Sequence, residues 1–214
     1  MSSKSNPWTD PNHVRRWIDS KRALAVDRDG PFAMMAALLP NDNTVPLRIV
    51  DLGAGEGRVA TVILDRYPAA VATLVDFSPE MMSAGRTALA RFEGRFSYLD
   101  WDMSTGEWPA RLSGPYDAVV SSAAIHHLDN GRKKWLVEQV VPRLVPGGMF
   151  ANFDIHRIPG LSYSDHEAHD RTCSTVEEAA AFVIGAQCDM LVTARSRHPG
   201  RKVERALVVA TKPR

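Results

Sequence analysis

The sequence predicts an α/β fold, with parallel strands forming a sheet that helices cover on both faces. Three observations lead there. From Leu47 onward short β-branched runs alternate with longer amphipathic stretches; the first run ends in glycines at 53, 55 and 57; and the last two runs are joined by a loop too short for a helical crossover. Alternating strand and helix patterns of this kind are how parallel sheets are built.

The elements follow in order. Pro11 to Val26 and Pro31 to Leu39 read as helices, with Asp29-Gly30-Pro31 as the break between them. Leu47 to Leu52, Val71 to Asp76, Phe96 to Asp100, Tyr116 to Ser121 and Met149 to Ile155 read as the parallel strands. Between them Gly57 to Tyr67, Pro79 to Phe92 and Gly131 to Leu144 read as helices. Ser78 is placed to cap the second, with Pro79 at the first helical position and Glu80 in the first turn. Pro142 would bend the third or stop it early, because it removes a backbone donor and crowds the preceding turn. Thr175 and Glu178 form a capping-box signature for a helix to about Ala186. Met190 to Arg197 and Glu204 to Lys212 then read as strands paired antiparallel across His198 to Lys202.

A chain of 214 residues suits one domain, expected to span 1–214. Hydrophobic residues at 44% and charged residues at 24% are ordinary for globular proteins. The formal charge of +1 supplies no broad positive field, so nucleic acid is a disfavoured partner. Cys173 and Cys188 lack metal-ligand spacing and read as free thiols. No apolar run approaches the roughly 20 residues of a membrane span, and the first ten residues are polar, so a cytoplasmic location is expected.

The chemistry starts at Val50-Asp51-Leu52-Gly53-Ala54-Gly55-Glu56-Gly57. Gly53 allows a tight turn, and Gly55 and Gly57 let a ligand approach the backbone where strand becomes helix. A dinucleotide fingerprint spaces its third glycine one residue further on; here position 58 is Arg. Asp51 beside this turn could receive the cationic amino group of a methionine moiety. Asp76, ending the second strand, could accept from both hydroxyls of a ribose. Phe77 and Met81 or Met82 could wall an adenine ring, or be ordinary core residues. The third strand delivers Asp100-Trp101-Asp102-Met103 to the same edge, where Asp102 could accept from an adenine amino group.

Four segments in order, VDLGAGEG at 50–57, VDFSPEMM at 75–82, YDAVVSSAAIHHL at 116–128 and LVPGGMF at 144–150, make the chain resemble the class I S-adenosylmethionine-dependent methyltransferases that act on small molecules. The resemblance implies a Rossmann-like, seven-stranded, mostly parallel sheet with an antiparallel last strand and helices on both faces. It implies S-adenosyl-L-methionine lying over the carboxyl ends of strands one to four, held by Asp51, Gly53, Gly55, Gly57, Asp76, Phe77, Met81, Asp102, Met103 and Ser121. It also makes residues 1–40 a helical lid with Trp8, Trp17, Phe32, Met34 and Met35, 47–214 the core, and about 155–173 an acceptor-side insertion; the same aromatics would also suit a satellite core under an ordinary pair of helices.

His126 and His127 follow the fourth strand, where the resemblance puts the acceptor; either could be a general base, and capping or substrate packing are equal readings. Asp154, His156, Tyr163, Asp165, His166, Glu167, His169 and Asp170 are dense in possible ligands but lack metal-site signatures, so no metal is expected and a polar acceptor loop is. The expected partner is a small-molecule methyl acceptor. Methylation of RNA or protein, for which Arg195, Arg197, His198, Arg201, Lys202 and Arg205 offer a basic cluster, and cofactor binding without turnover are the alternatives.

Overall fold

The computed structural model describes residues 7–22, 26–40, 42–163, 173–197 and 201–214. Seven strands form one sheet: β1 Arg48–Leu52, β2 Val71–Asp76, β3 Phe96–Asp100, β4 Tyr116–Ser122, β5 Leu144–Arg157, β6 Asp189–Arg197 and β7 Val203–Thr211. Their order is β3-β2-β1-β4-β5-β7-β6. β1 to β5 run parallel, and β7 lies antiparallel between β5 and β6. The helices are α1 Pro11–Arg22, α2 Val26–Ala37, α3 Arg58–Arg66, α4 Pro79–Ala88, α5 Asn130–Val140 and α6 Val176–Gly185.

The strand pleat divides the core in two. Ile49, Ala118 and Val120 face a cluster with Phe32 and Met35 of α2 and Ile63 and Leu64 of α3, whereas Val50, Leu52 and Val119 face one with Leu136 and Val140 of α5. Alternation along each strand sends neighbours to opposite sides, so a strand buried on both faces is apolar throughout. Burying each Ile or Leu contributes about 1.5–3 kcal/mol.

The helix starts are set locally. Ser78 Oγ accepts the Met81 N–H, Asp129 Oδ1 accepts the Arg132 N–H, and Thr175 and Glu178 form a reciprocal capping box. Each satisfies a backbone donor that the helix itself cannot. α5 stops at Val140, and a 3-10 turn over Val141–Arg143 carries Pro142.

The amino-terminal helices differ from expectation. α2 starts at Val26 and runs through Asp29-Gly30-Pro31. Pro31, inside the helix, removes one backbone donor, and the buried stripe of Phe32, Met35, Ala36 and Leu39, spaced three, four and seven apart, outweighs that loss. α1 ends at Arg22, and residues 23–25 are outside the described residues. β5 is also longer than Met149 to Ile155, because β7 pairs with it out to Arg157.

Candidate functional site

In this sheet the order of strands reverses between β1 and β4: from β1 the chain first builds outward through β2 and β3, then returns to the other side. Loops leaving the carboxyl ends of β1 and β4 diverge there and open a crevice, the usual ligand site of open α/β sheets. A cavity of about 500 Å³ occupies it, a size that suits a cofactor or metabolite.

The floor is the glycine turn, of which Gly53 and Gly55 line the cavity; Gly57, expected there too, is buried outside it, and its α-carbon faces the core. Gly53, Gly55 and Gly57 have φ of +67°, +54° and +77°, a region that L side chains rarely adopt. A Cβ on Gly57 would also lie 2.5 Å from Leu89 Cδ1 and 2.8 Å from Leu74 Cδ2. Asp51 sits beneath this turn, 1% exposed, and its Oδ2 has no hydrogen-bond partner. Burial pushes its carboxyl up to about 7, the Ala60 backbone N–H opposing and the Asp76 charge adding to the rise. Ser122 Oγ, on the same wall, is likewise buried without a partner.

At the end of β2, Asp76 Oδ2 accepts the Gly55 N–H at 2.8 Å and Oδ1 accepts the Ser78 N–H at 2.9 Å. Burial pushes its carboxyl up, against these backbone donors. Each carboxylate oxygen has room for a further donor. Phe77, Met81, Trp101, Asp102, Met103 and Leu128 continue the lining. Asp102 Oδ1 accepts from the backbone and hydroxyl of Ser104, at 2.8 and 2.6 Å. Asp100 is exposed and outside the lining, and Met82 is buried in the core.

Ser121 is not on the cavity. It is fully buried, and its hydroxyl donates to the Leu52 carbonyl at 2.7 Å. The pleat turns it to the face of Val119, while Ser122 shares the face of Val120. Ser122, one position further on, is the serine that lines the cavity.

The two histidines part company. His127 is exposed and lines the cavity, edge-on to Trp8 with ring centroids 6.0 Å apart. His126 is buried and turned away: its ring Nδ1 pairs with Asp154 Oδ1, and its backbone N–H donates to Asp154 Oδ2 at 2.9 Å. Burial alone would raise the Asp154 carboxyl, but His126 and, less, His156 hold it below the ordinary carboxylate range. His126 thus borders a second, smaller cavity with Lys133, Asn152, Asp154, His156 and Ser174. Burial lowers the His156 pKa, against the opposing pull of the Asp154 charge and the Ser174 backbone.

Trp8, Trp17 and Phe32 close the main cavity from the amino-terminal side, and Val14 and Ile18 pack with Met81 of α4. Met35 is buried in the core and Met34 is 41% exposed. Asp165, His166, Glu167, His169, Asp170 and His198 lie outside the described residues. Of the basic cluster, Arg195 pairs with Glu177 and Glu204, and Arg197 with Glu204, which offsets part of its charge. Among the described residues no helix is long and apolar enough to cross a membrane.

Comparison with known proteins agrees with this architecture. A family described as a methyltransferase domain matches residues 50–150. A trans-aconitate 2-methyltransferase from Streptomyces avermitilis is 36% identical over 160 residues, 67% of this chain and 54% of that one; a second, from Streptomyces coelicolor, is 32% identical over 74% and 50%. The chain therefore spans about half the length of these curated relatives. Phosphoethanolamine N-methyltransferase 2 of Haemonchus contortus, solved in complex with S-adenosyl-L-methionine, superposes with a TM-score of 0.71 at 13% identity, over 87% of this chain and 53% of that one. With the sheet order, the four ordered motifs and this domain match in agreement, the chain belongs to the class I S-adenosylmethionine-dependent methyltransferase family.

Proposed function

We propose that this chain binds S-adenosyl-L-methionine in the main cavity and transfers its methyl group to a small-molecule acceptor. The observation that carries the reading is the unpaired Asp51 Oδ2, a buried carboxylate oxygen at the strand-to-helix turn. A buried acceptor without a donor costs about 1–3 kcal/mol, and a cationic amino group removes that cost while matching the charge. Ser122 Oγ offers a second partner to the same group. In this reading Asp76 accepts from a ribose diol and Asp102 from the amino group of an adenine against Phe77, Met103 and Leu128; that all five line the cavity supports it.

When bound, the sulfonium supplies an electrophilic methyl group, so much of the protein's part is to orient the acceptor and exclude water. His127 is the histidine available to the acceptor; on a hydroxyl or phenol substrate its imidazole takes the proton displaced by the methyl group. Trp8, Trp17 and Phe32 act as the inner face of a lid formed by the 3-10 turn Pro7–Thr9, α1 and α2. The relatives' names supply a carboxylate as one candidate acceptor for a screen.

The test is calorimetric titration with S-adenosylhomocysteine, followed by an acceptor panel read by its formation from S-adenosylmethionine. Failure of folded protein to take up either compound would sink the assignment. Uptake without turnover across the panel would leave a binding protein. Hydrogen exchange on Trp8 to Leu39 reports the lid: added S-adenosylhomocysteine is expected to slow it, and unchanged exchange removes the lid role.

A further inference from the structure

We propose that Arg132 is the positioning residue of the adenine wall, fixing the loop Trp101–Ser104 where Asp102 distinguishes a 6-amino purine from a 6-oxo one; this rests on the cofactor reading above. Trp101, Asp102, Met103 and Ser104 are four consecutive lining residues, yet residues 101–115 have no helix or strand to hold them. A loop without a ladder must place its carbonyl groups elsewhere.

One guanidinium takes three of them. Arg132 Nε donates to the Met103 carbonyl at 2.6 Å, and Nη2 donates to those of Thr105 and Gly106 at 2.9 Å each. Only a planar fork presents donors in this way; a lysine ammonium is a single compact charge on a flexible stem. The guanidinium is itself fixed, with Cζ 3.7 Å from the ring centroid of Trp135 and the Arg132 backbone N–H on the capping Asp129 at 2.8 Å. The loop is thus referenced to the first turn of α5. From the front it is bounded by the glycine turn, since a Cβ on Gly53 would lie 3.3 Å from Met103 Cε. Ser104 fixes the Asp102 rotamer through two hydrogen bonds to Oδ1. An aspartate held this way from both sides discriminates by geometry, because a 6-oxo base offers no donor where a 6-amino base offers one.

The experiment titrates S-adenosylhomocysteine and S-inosylhomocysteine into wild-type protein, R132K and R132A. Wild type is expected to prefer the adenine compound by at least about tenfold, the worth of one charged hydrogen bond. R132A is expected to bind the two alike, and R132K to fall between. Loss of affinity for both compounds with the wild-type ratio retained would overturn the proposal, since a merely structural arginine predicts that result. Equal binding of both by wild type would overturn it too. If R132A does not fold, the R132K ratio decides, and an unchanged ratio again counts against it. Wild-type protein that takes up neither compound would overturn the cofactor reading instead.

Discussion

Asp76 Oδ2 accepts the Gly55 N–H at 2.8 Å, so the acid that ends β2 is tied directly to the glycine turn that leaves β1. One side chain thereby sets the spacing of two walls of the cavity. Asp76→Ala removes the ribose acceptor and leaves the Gly55 N–H without its partner. S-adenosylhomocysteine affinity is expected to fall about tenfold to a hundredfold, the worth of 1.5–3 kcal/mol for hydrogen bonds to a charged group. Calorimetry reads this directly, and wild-type affinity in the variant would remove Asp76 from the site.

The glycine turn can be tested through stability. Gly57 and Gly94 both have positive φ, at +77° and +81°, but a Cβ on Gly94 meets nothing within 4 Å whereas one on Gly57 would run into buried Leu89 and Leu74. Gly94→Ala therefore carries the backbone strain alone, about 1–2 kcal/mol. Gly57→Ala adds overpacking, about 1–3 kcal/mol more. Urea denaturation of the pair separates the two terms, and equal losses would show that the leucines give way freely.

The strands were legible because short β-branched and aromatic runs are bracketed by turn residues; β2 begins and ends at Val71 and Asp76 as expected, and so does β3 at Phe96 and Asp100, although β3 is an edge strand with Ser97 and Asp100 exposed. Caps at Ser78 and Thr175 were legible for the same local reason. What was not legible depends on register and packing. Choosing Ser122 over Ser121 requires knowing that Leu52 pairs with Ser121, a relation between strands 69 residues apart. Separating His127 from His126 requires Asp154, which reaches the turn only because β5 lies beside β4. Arg132 gave no signal, since its partners are carbonyl groups, present at every residue.

The histidines should behave differently when replaced. His127→Ala removes the group that lines the cavity, so turnover on a hydroxyl acceptor is expected to drop about a hundredfold or more while S-adenosylhomocysteine affinity holds. His126→Ala leaves Asp154 buried without its ring partner, so the expected effect is a lower melting temperature. Steady-state kinetics and thermal denaturation on both variants check this. Full turnover by His127→Ala would dismiss the base role.

Asp51 makes cofactor binding depend on pH. Its carboxyl is pushed up to about 7 by burial, well above the ordinary carboxylate range. In the free protein a raised carboxyl pKa favours folding in the protonated form: that contribution is complete below about pH 4 and is lost as pH rises through about 7. A cationic amino group reverses the preference, because it favours the carboxylate. Binding is therefore expected to release protons near pH 6.5, and affinity to rise with pH by at most about tenfold per unit until about pH 7. At the higher pH where the ligand's own amino group loses its proton, affinity should turn down. Titrations at pH 6.5 in buffers of different ionisation enthalpy measure the proton count. Asp51→Asn should both weaken binding and flatten the rising limb; an unaltered rising limb in that variant would assign the titration to another group.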